Sequence, residues 1–97
     1  MQARVTTAQF APDKLDEGIQ IYRQAVSEHY RDQPGFRGAL LLVDRETSQG
    51  LSIALWESRD NVLENTWGGA YLEVLEEFAG LFAVRPSFQV YEVSVQV

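Results

Sequence analysis

Three side chains that together suit the binding of an aromatic molecule lie close in the sequence: Asn65, Trp67 and Tyr71. Gly68-Gly69 separates them and interrupts a helical pattern, so the chain can open a small cleft there. An amide beside two aromatic rings supplies hydrogen bonds and apolar surface, the usual lining of a small-molecule site. These three are our candidate catalytic residues. The alternative is that Trp67 and Tyr71 pack at a helix kink, with Asn65 as a C-terminal cap.

Four further residues are candidates for contacting a substrate: Trp56, Tyr22, His29 and Arg85. Trp56 ends an apolar strand, where it would form a cavity wall or part of the core. Tyr22 lies on the apolar face of a helix, where the pattern does not separate core from cavity. His29, the one histidine, would act as a general base or satisfy carbonyl groups at a helix end. Arg85 would bind an acidic or phenolate group, or follow a helix C-terminus as a favourable cation.

The composition excludes several classes of function. The chain has 97 residues, with 8 Lys+Arg against 14 Asp+Glu, and this balance of −6 argues against a nucleic-acid partner. With no cysteine and one histidine, disulfides, thiol catalysis and a multi-His metal site within one chain are excluded. No apolar run approaches the roughly 20 residues of a membrane span, and the first residues lack a secretory signal. We therefore expect a cytoplasmic location and no membrane partner.

The pattern predicts one domain over residues 1–97, with elements in the order β-α-β-β-α-β. Asp13 is the expected N-cap of the first helix, and the last helix is expected to place Leu72 and Leu75 on its apolar face. This order is typical of a ferredoxin-like α+β fold, an antiparallel sheet with helices on one face. The predicted strands cover 4–10, 36–45, 51–57 and 87–97, and the predicted helices cover 14–31, 59–66 and 70–84.

Both faces of the predicted sheet are apolar. In the second strand Leu41 and Val43 point one way and Leu40 and Leu42 the other, and the third and last strands repeat this pattern. A sheet with one face in water would alternate apolar and polar residues. Helices cover one face, so the simplest cover for the second is another copy of the sheet. The pattern therefore predicts a homodimer, with a monomer of unusually apolar surface as the alternative.

Four short pieces, in order along nearly the whole chain, resemble the antibiotic biosynthesis monooxygenase (ABM) domains of the dimeric α+β barrel superfamily. They are Phe10-Ala11-Pro12, then Gln33-Pro34-Gly35-Phe36 with Gly38, then Leu55-Trp56-Glu57-Ser58, and Val90-Tyr91-Glu92-Val93. The resemblance implies a homodimer with a ligand cavity between the helices and the sheet of each subunit. It also implies cofactor-independent oxidation of a small phenolic, quinol or polyketide-like aromatic, with Asn65, Trp67 and Tyr71 in the region that supplies such side chains in oxygenase members.

Other functions stay open at this point. A haem-degrading member would need Asn where this chain has Thr6 and an axial His near Leu75, so that branch fits badly. The main alternative to an oxygenase is a non-catalytic homodimer that binds a small apolar ligand or has a stress-related role. A purely structural protein, or an isomerase or lyase of the same superfamily, also fits the pattern, because fold does not settle function.

Overall fold

The computed structural model describes residues 1–97, and it contains four strands and three helices. None of the helices has the length and apolarity that a membrane crossing requires. The elements are β1 (Gln2–Gln9), α1 (Leu15–His29), β2 (Phe36–Asp44), β3 (Gln49–Trp56), α2 (Arg59–Trp67), α3 (Ala70–Glu76) and β4 (Ser87–Glu92).

The four strands form one antiparallel sheet in the order β2-β3-β1-β4. The short turn after Asp44 joins β2 to β3 as a hairpin, and β1 lies between β3 and β4. This arrangement confirms the predicted ferredoxin-like α+β fold. The central position of β1 matters for the site, because Arg4, Thr6 and Ala8 on its helix-covered face are buried.

The two faces of the sheet divide as the alternation predicts. The strand register places Arg4, Thr6 and Ala8 of β1 on the face that the helices cover. The same register places a second apolar set on the opposite face, and two of its members, Leu40 and Leu42, are 54% and 49% exposed in the single chain. That uncovered set is Val5, Leu40, Leu42, Leu51, Ile53, Leu55 and Tyr91.

Phe10 joins the helices to the sheet at one end of the core. Its ring lies against Gly18 of α1 and Gly50 of β3, where an added Cβ would come within 2.4 and 2.8 Å of ring atoms. Its ring also contacts Phe78 and Phe82, at centroid distances of 6.1 and 5.4 Å. The lack of a side chain at these two glycines therefore lets α1 approach the sheet closely.

Two element ends differ from the prediction. The last helix ends at Glu76 instead of continuing to residue 84, because the following chain turns back to β1. There Phe82 bridges to Phe10, and the amide of Ala83 donates to the carbonyl of Gln9. The last strand ends at Glu92 instead of continuing to residue 97: its ladder with β1 ends at the pair Gln2–Glu92, and the Val93 amide then donates to the Met1 carbonyl.

Two predicted side-chain roles were also wrong. Asp13 is not the N-cap of α1: it lies before the helix at φ 66°, and Lys14 occupies the cap position without a side-chain hydrogen bond. Leu72 is exposed, because α3 turns Tyr71 and Val74 into the core instead. The break at Gly69, which has φ 108°, resets the rotational phase of the helix. The predicted apolar face was taken over a helix that was assumed to run from residue 70 to 84, whereas the helix ends at Glu76, so the pattern assigned the wrong face.

Candidate functional site

A single arginine occupies the middle of the sheet beneath the helices. Arg4 lies on the central strand β1 and is 2% exposed. Its Nη1 donates to Oδ1 of Asn65 and to Oγ1 of Thr66, each at 2.8 Å, and its Nη2 donates to the hydroxyl of Tyr30 at 3.0 Å. Asn65 and Thr66 belong to the last turn of α2 and Tyr30 caps α1, so three elements converge on one guanidinium.

Arg4 has no counter-ion. It takes part in none of the ion pairs of the structure, and its three acceptors are an amide and two hydroxyls, all uncharged. Its remaining N–H groups have no protein acceptor. Burying a charge without an opposite charge is unfavourable by several kcal/mol as an order of magnitude. The fold therefore carries an uncompensated positive charge beside a small cavity.

Aromatic rings surround the guanidinium and offset part of that cost. The Arg4 Cζ atom lies 3.9 Å from the ring centroid of Tyr71, 5.4 Å from Tyr30 and 5.8 Å from Trp56. Cation–π contacts of this kind contribute about 2 kcal/mol or more when the cation is desolvated. They do not neutralise the charge, because a ring has no net charge of its own.

A small cavity extends from Arg4 between the helices and the sheet, with a volume of about 40 Å³. Its polar groups are the guanidinium and five hydroxyls. Thr6 and Tyr71 share a hydrogen bond of 2.9 Å, and Tyr22 shares one of 2.8 Å with Ser52. No acidic residue and no histidine line it. The apolar part of the wall is formed by Ala8, Phe10, Val26, Leu41, Val74, Leu75, Phe78 and Phe82.

Burial sets the ionisation of the hydroxyl groups. It raises the pKa of Tyr30, Tyr22 and Tyr71 above the ordinary tyrosine value. Opposing contributions come from the hydrogen bonds to Ser52 and Thr6 and from the positive charge of Arg4. Burial also lowers the pKa of Arg4, although a guanidinium stays protonated in proteins. At neutral pH the cavity therefore holds one cation among neutral hydroxyl groups.

The predicted site residues separate into two groups. Tyr22 and Tyr71 line the cavity, and Asn65 and Trp56 pack behind it around Arg4. Asn65 is 1% exposed, and its Nδ2 has no acceptor in the protein. Trp56 is fully buried, with its ring edge against Tyr30 at 5.7 Å. Asn65 therefore contacts the cavity only through the guanidinium that it holds.

The structure does not bring the other three candidates to the cavity. Trp67 is 74% exposed and rests on Phe88 at 6.1 Å, on the far side of α2 from Asn65. His29 faces Glu73 and Glu77 of the α3 region, with ring nitrogens 3.2 and 2.9 Å from their carboxylates.

Arg85 is exposed in the segment between α3 and β4, and it has no hydrogen bond or ion pair to another side chain. It therefore does not face the cavity in this structure.

Sequence reasoning missed Arg4 and Thr6, the two polar cavity residues of the first strand. The signal was available in part: within a strand rich in β-branched residues, Arg4, Thr6 and Ala8 share one face by alternation. An arginine on a central strand is buried when it points to the face that the helices cover. Only the strand order, with β1 in the centre, shows that this arginine is buried.

Residues 1–70 match the family model of antibiotic biosynthesis monooxygenases, so the chain belongs to the antibiotic biosynthesis monooxygenase family. Two uncharacterised proteins, from two strains of Mycobacterium tuberculosis, are each 34% identical to it over 62 residues. That segment is 64% of this chain and 28% of each relative, so the chain matches less than a third of those longer proteins.

Solved structures share the fold over nearly the whole chain. SnoaB, a cofactor-independent oxygenase from Streptomyces nogalater, superposes with a TM-score of 0.78 at 16% identity, over 99% of this chain and 95% of that one. A Bordetella bronchiseptica protein named for the same family superposes with a TM-score of 0.81 at 17% identity, over 97% of both chains. A Mycobacterium tuberculosis protein superposes with a TM-score of 0.76 at 15% identity, over 98% of this chain and 96% of that one. At these identities the likeness shows the fold alone.

The raised tyrosine pKa values predict a loss of stability at alkaline pH. Below a pH of about 10 both folded and unfolded states keep their tyrosines neutral. Above it the unfolded chain loses these protons first, so the free energy of unfolding falls, by up to about 1.4 kcal/mol per pH unit for each buried tyrosine. Urea unfolding at a series of pH values measures this slope.

The variant Tyr30→Phe removes one titrating hydroxyl and should make the alkaline slope shallower, whatever its stability at neutral pH. A free energy of unfolding that stays level well above a pH of about 10 would contradict the burial of these hydroxyls.

Proposed function

We propose that this protein is a cofactor-independent monooxygenase that acts on a small phenolic or quinol-like aromatic. The observation that carries the proposal is the cavity whose one charge is Arg4, without a carboxylate to balance it. A positive charge of this kind favours a ligand that is, or becomes, an anion. Membership of the family supports the reaction class, and the fold of SnoaB, named as a cofactor-independent oxygenase, is consistent with it.

The chemistry needs an anion that can give an electron to oxygen. Loss of a proton from the phenol, or from an adjacent CH₂ group of its keto form, leaves a phenolate or enolate. This anion passes one electron to O₂, and the two radicals combine into a carbon-bound peroxide anion. Uptake of a proton and loss of water convert the CH₂ group to C=O. One oxygen atom of O₂ enters the product and the other leaves as water.

Each cavity residue has a distinct role in this scheme. Arg4 stabilises the substrate anion, and the burial of its guanidinium strengthens this effect. Tyr71 and Thr6 bind the same end of the substrate through their hydroxyls. Asn65 and Thr66 are positioning residues, because they hold the guanidinium and do not line the cavity.

No carboxylate or imidazole lines the cavity, so the substrate proton leaves to solvent, and Arg4 makes that loss easier by stabilising the anion. The same observation favours the second candidate function, a protein that binds an aromatic anion without turnover. The two candidate functions use the same cavity, and they differ in whether oxygen is consumed. The exposed Trp67 has no part in either scheme.

Replacing Arg4 should abolish the activity without unfolding the chain. Arg4→Gln keeps hydrogen-bonding groups and removes the charge, so the rate of oxygen consumption with an active hydroquinone or anthrone should fall by about 10²-fold or more. An oxygen electrode measures the rate, and circular dichroism checks the fold. The control Arg59→Gln removes a charge from an exposed arginine of α2 and should leave the rate unchanged.

Equal rates in Arg4→Gln and wild type would show that the cation is not used. The non-catalytic function would be favoured if the wild type binds aromatic anions but consumes no oxygen with any of a panel of hydroquinones and anthrones.

We also propose that two copies pair through the uncovered sheet face. Leu40, Ile53 and Val5 lie side by side across three strands of that face, with Leu42 and Leu51 in the next row. Apolar patches of this extent on a single chain mark interaction sites. A second copy related by a two-fold axis offers the same surface, and this face lies opposite the cavity, so pairing leaves the cavity open.

A charge in the middle of this face should separate the copies. Light scattering at micromolar concentration should give twice the mass of the chain for the wild type and the mass of one chain for Leu40→Glu. Leu72→Glu places the same charge on an exposed leucine of α3, away from the sheet, and should keep the doubled mass. A wild type with the mass of one chain would overturn the pairing.

A further inference from the structure

A groove of about 420 Å³ lies between α1 and the edge strand β2. Its floor is apolar and comes from the strand side, from Phe36, Ala39 and Val43. On the α1 side two cations, Arg23 and Arg31, border it. The groove is about ten times larger than the cavity beside Arg4, so it offers the larger space for a bound molecule.

The groove and the cavity share a wall. Tyr22, Val26 and Leu41 line both of them. The Tyr22 hydroxyl reaches from α1 to the sheet, where it donates to the carbonyl of Leu40 at 3.2 Å and shares a hydrogen bond of 2.8 Å with Ser52. These two hydrogen bonds hold the phenol ring between groove and cavity. Tyr22 is therefore the side chain that separates the two spaces.

The charges along this route have one sign. The chain carries 14 acidic residues against 8 basic ones, and none of the acidic residues lines the groove or the cavity. Arg4, Arg23 and Arg31 form no ion pair. The one side-chain hydrogen bond of Arg31 goes to Ser27, at 3.3 Å, and Arg23 has none. Two free guanidinium groups beside an apolar floor are complementary to an amphipathic anion.

We propose that the α1–β2 groove is the outer part of the substrate site and selects an aromatic substrate that carries an acidic group. The apolar body of the substrate lies on the floor of the groove, and its carboxylate or sulfonate binds Arg23 and Arg31. The reacting phenolic ring lies against Tyr22, and its hydroxyl points into the cavity toward Arg4. This inference rests on the proposed function for the reaction, and on the groove alone for the binding.

Two fluorescent probes of similar shape test the binding. Anilinonaphthalene sulfonate is an anion, and N-phenyl-1-naphthylamine is its neutral counterpart. The Kd of the sulfonate should rise about tenfold in the double variant Arg23→Gln/Arg31→Gln, and the Kd of the neutral probe should change by less than about twofold. The control Arg37→Gln/Arg45→Gln removes the same charge from arginines paired with Glu57 and Asp16 and should leave both values near wild type.

A sulfonate affinity that is the same in wild type and in Arg23→Gln/Arg31→Gln overturns the proposal. So does a wild type that binds neither probe, because the groove is then covered, for example by a second copy of the chain. Equal losses of sulfonate affinity in the test and control variants also overturn the proposal, because the affinity then depends only on the net charge.

A kinetic comparison separates this inference from the proposed function. With a pair of active quinols that differ in one carboxylate, Arg23→Gln/Arg31→Gln should raise KM about tenfold for the acid alone and leave kcat unchanged. If probe binding depends on the two arginines and no quinol is oxidised, the groove stands and the oxygenase function fails. If both quinols are oxidised with KM values that the variant does not change, the oxygenase function stands and the groove proposal fails.

Discussion

The burial of Arg4 without a counter-ion is the constraint on which the rest of the site depends. A desolvated guanidinium needs hydrogen-bond acceptors and polarisable surface, and the fold supplies both from three directions. Apolar residues at this position would avoid the desolvation cost, so stability alone does not account for the charge. An unbalanced charge beside a cavity is instead typical of a site that acts on a ligand of opposite charge.

The break between α2 and α3 follows from the same constraint. Asn65 and Thr66 reach Arg4 from the last turn of α2, whereas the ring of Tyr71 covers the guanidinium from the first turn of α3. Gly69, at φ 108°, changes the chain direction between them. In a continuous helix, residues 65 and 71 would lie about 120° apart around the axis and would face different neighbours. The glycine pair therefore allows both sets of groups to meet one cation.

Much of this architecture could be predicted from the sequence, and the misses have specific physical causes. The two-sided apolar pattern of β2 and β3 showed which residues share a face, and the structure confirms it. The assignment of Leu72 to the core was wrong because its pattern was read over residues 70–84, whereas the helix ends at Glu76. Trp67 was grouped with Asn65 by nearness in the chain, although residues two apart on a helix point in nearly opposite directions. Arg4 was missed because alternation assigns faces without showing which strand is central.

The ionisation of a bound phenol tests the central claim most directly. 4-Nitrophenol changes colour when it ionises, so its charge state in the cavity can be read by absorbance during a pH titration. The account predicts that the bound probe ionises at least about one pH unit below the free probe, because a cation lies within contact distance, and that Arg4→Gln abolishes this shift. A bound probe that ionises at the same pH as in water, or at a higher pH, would contradict the account.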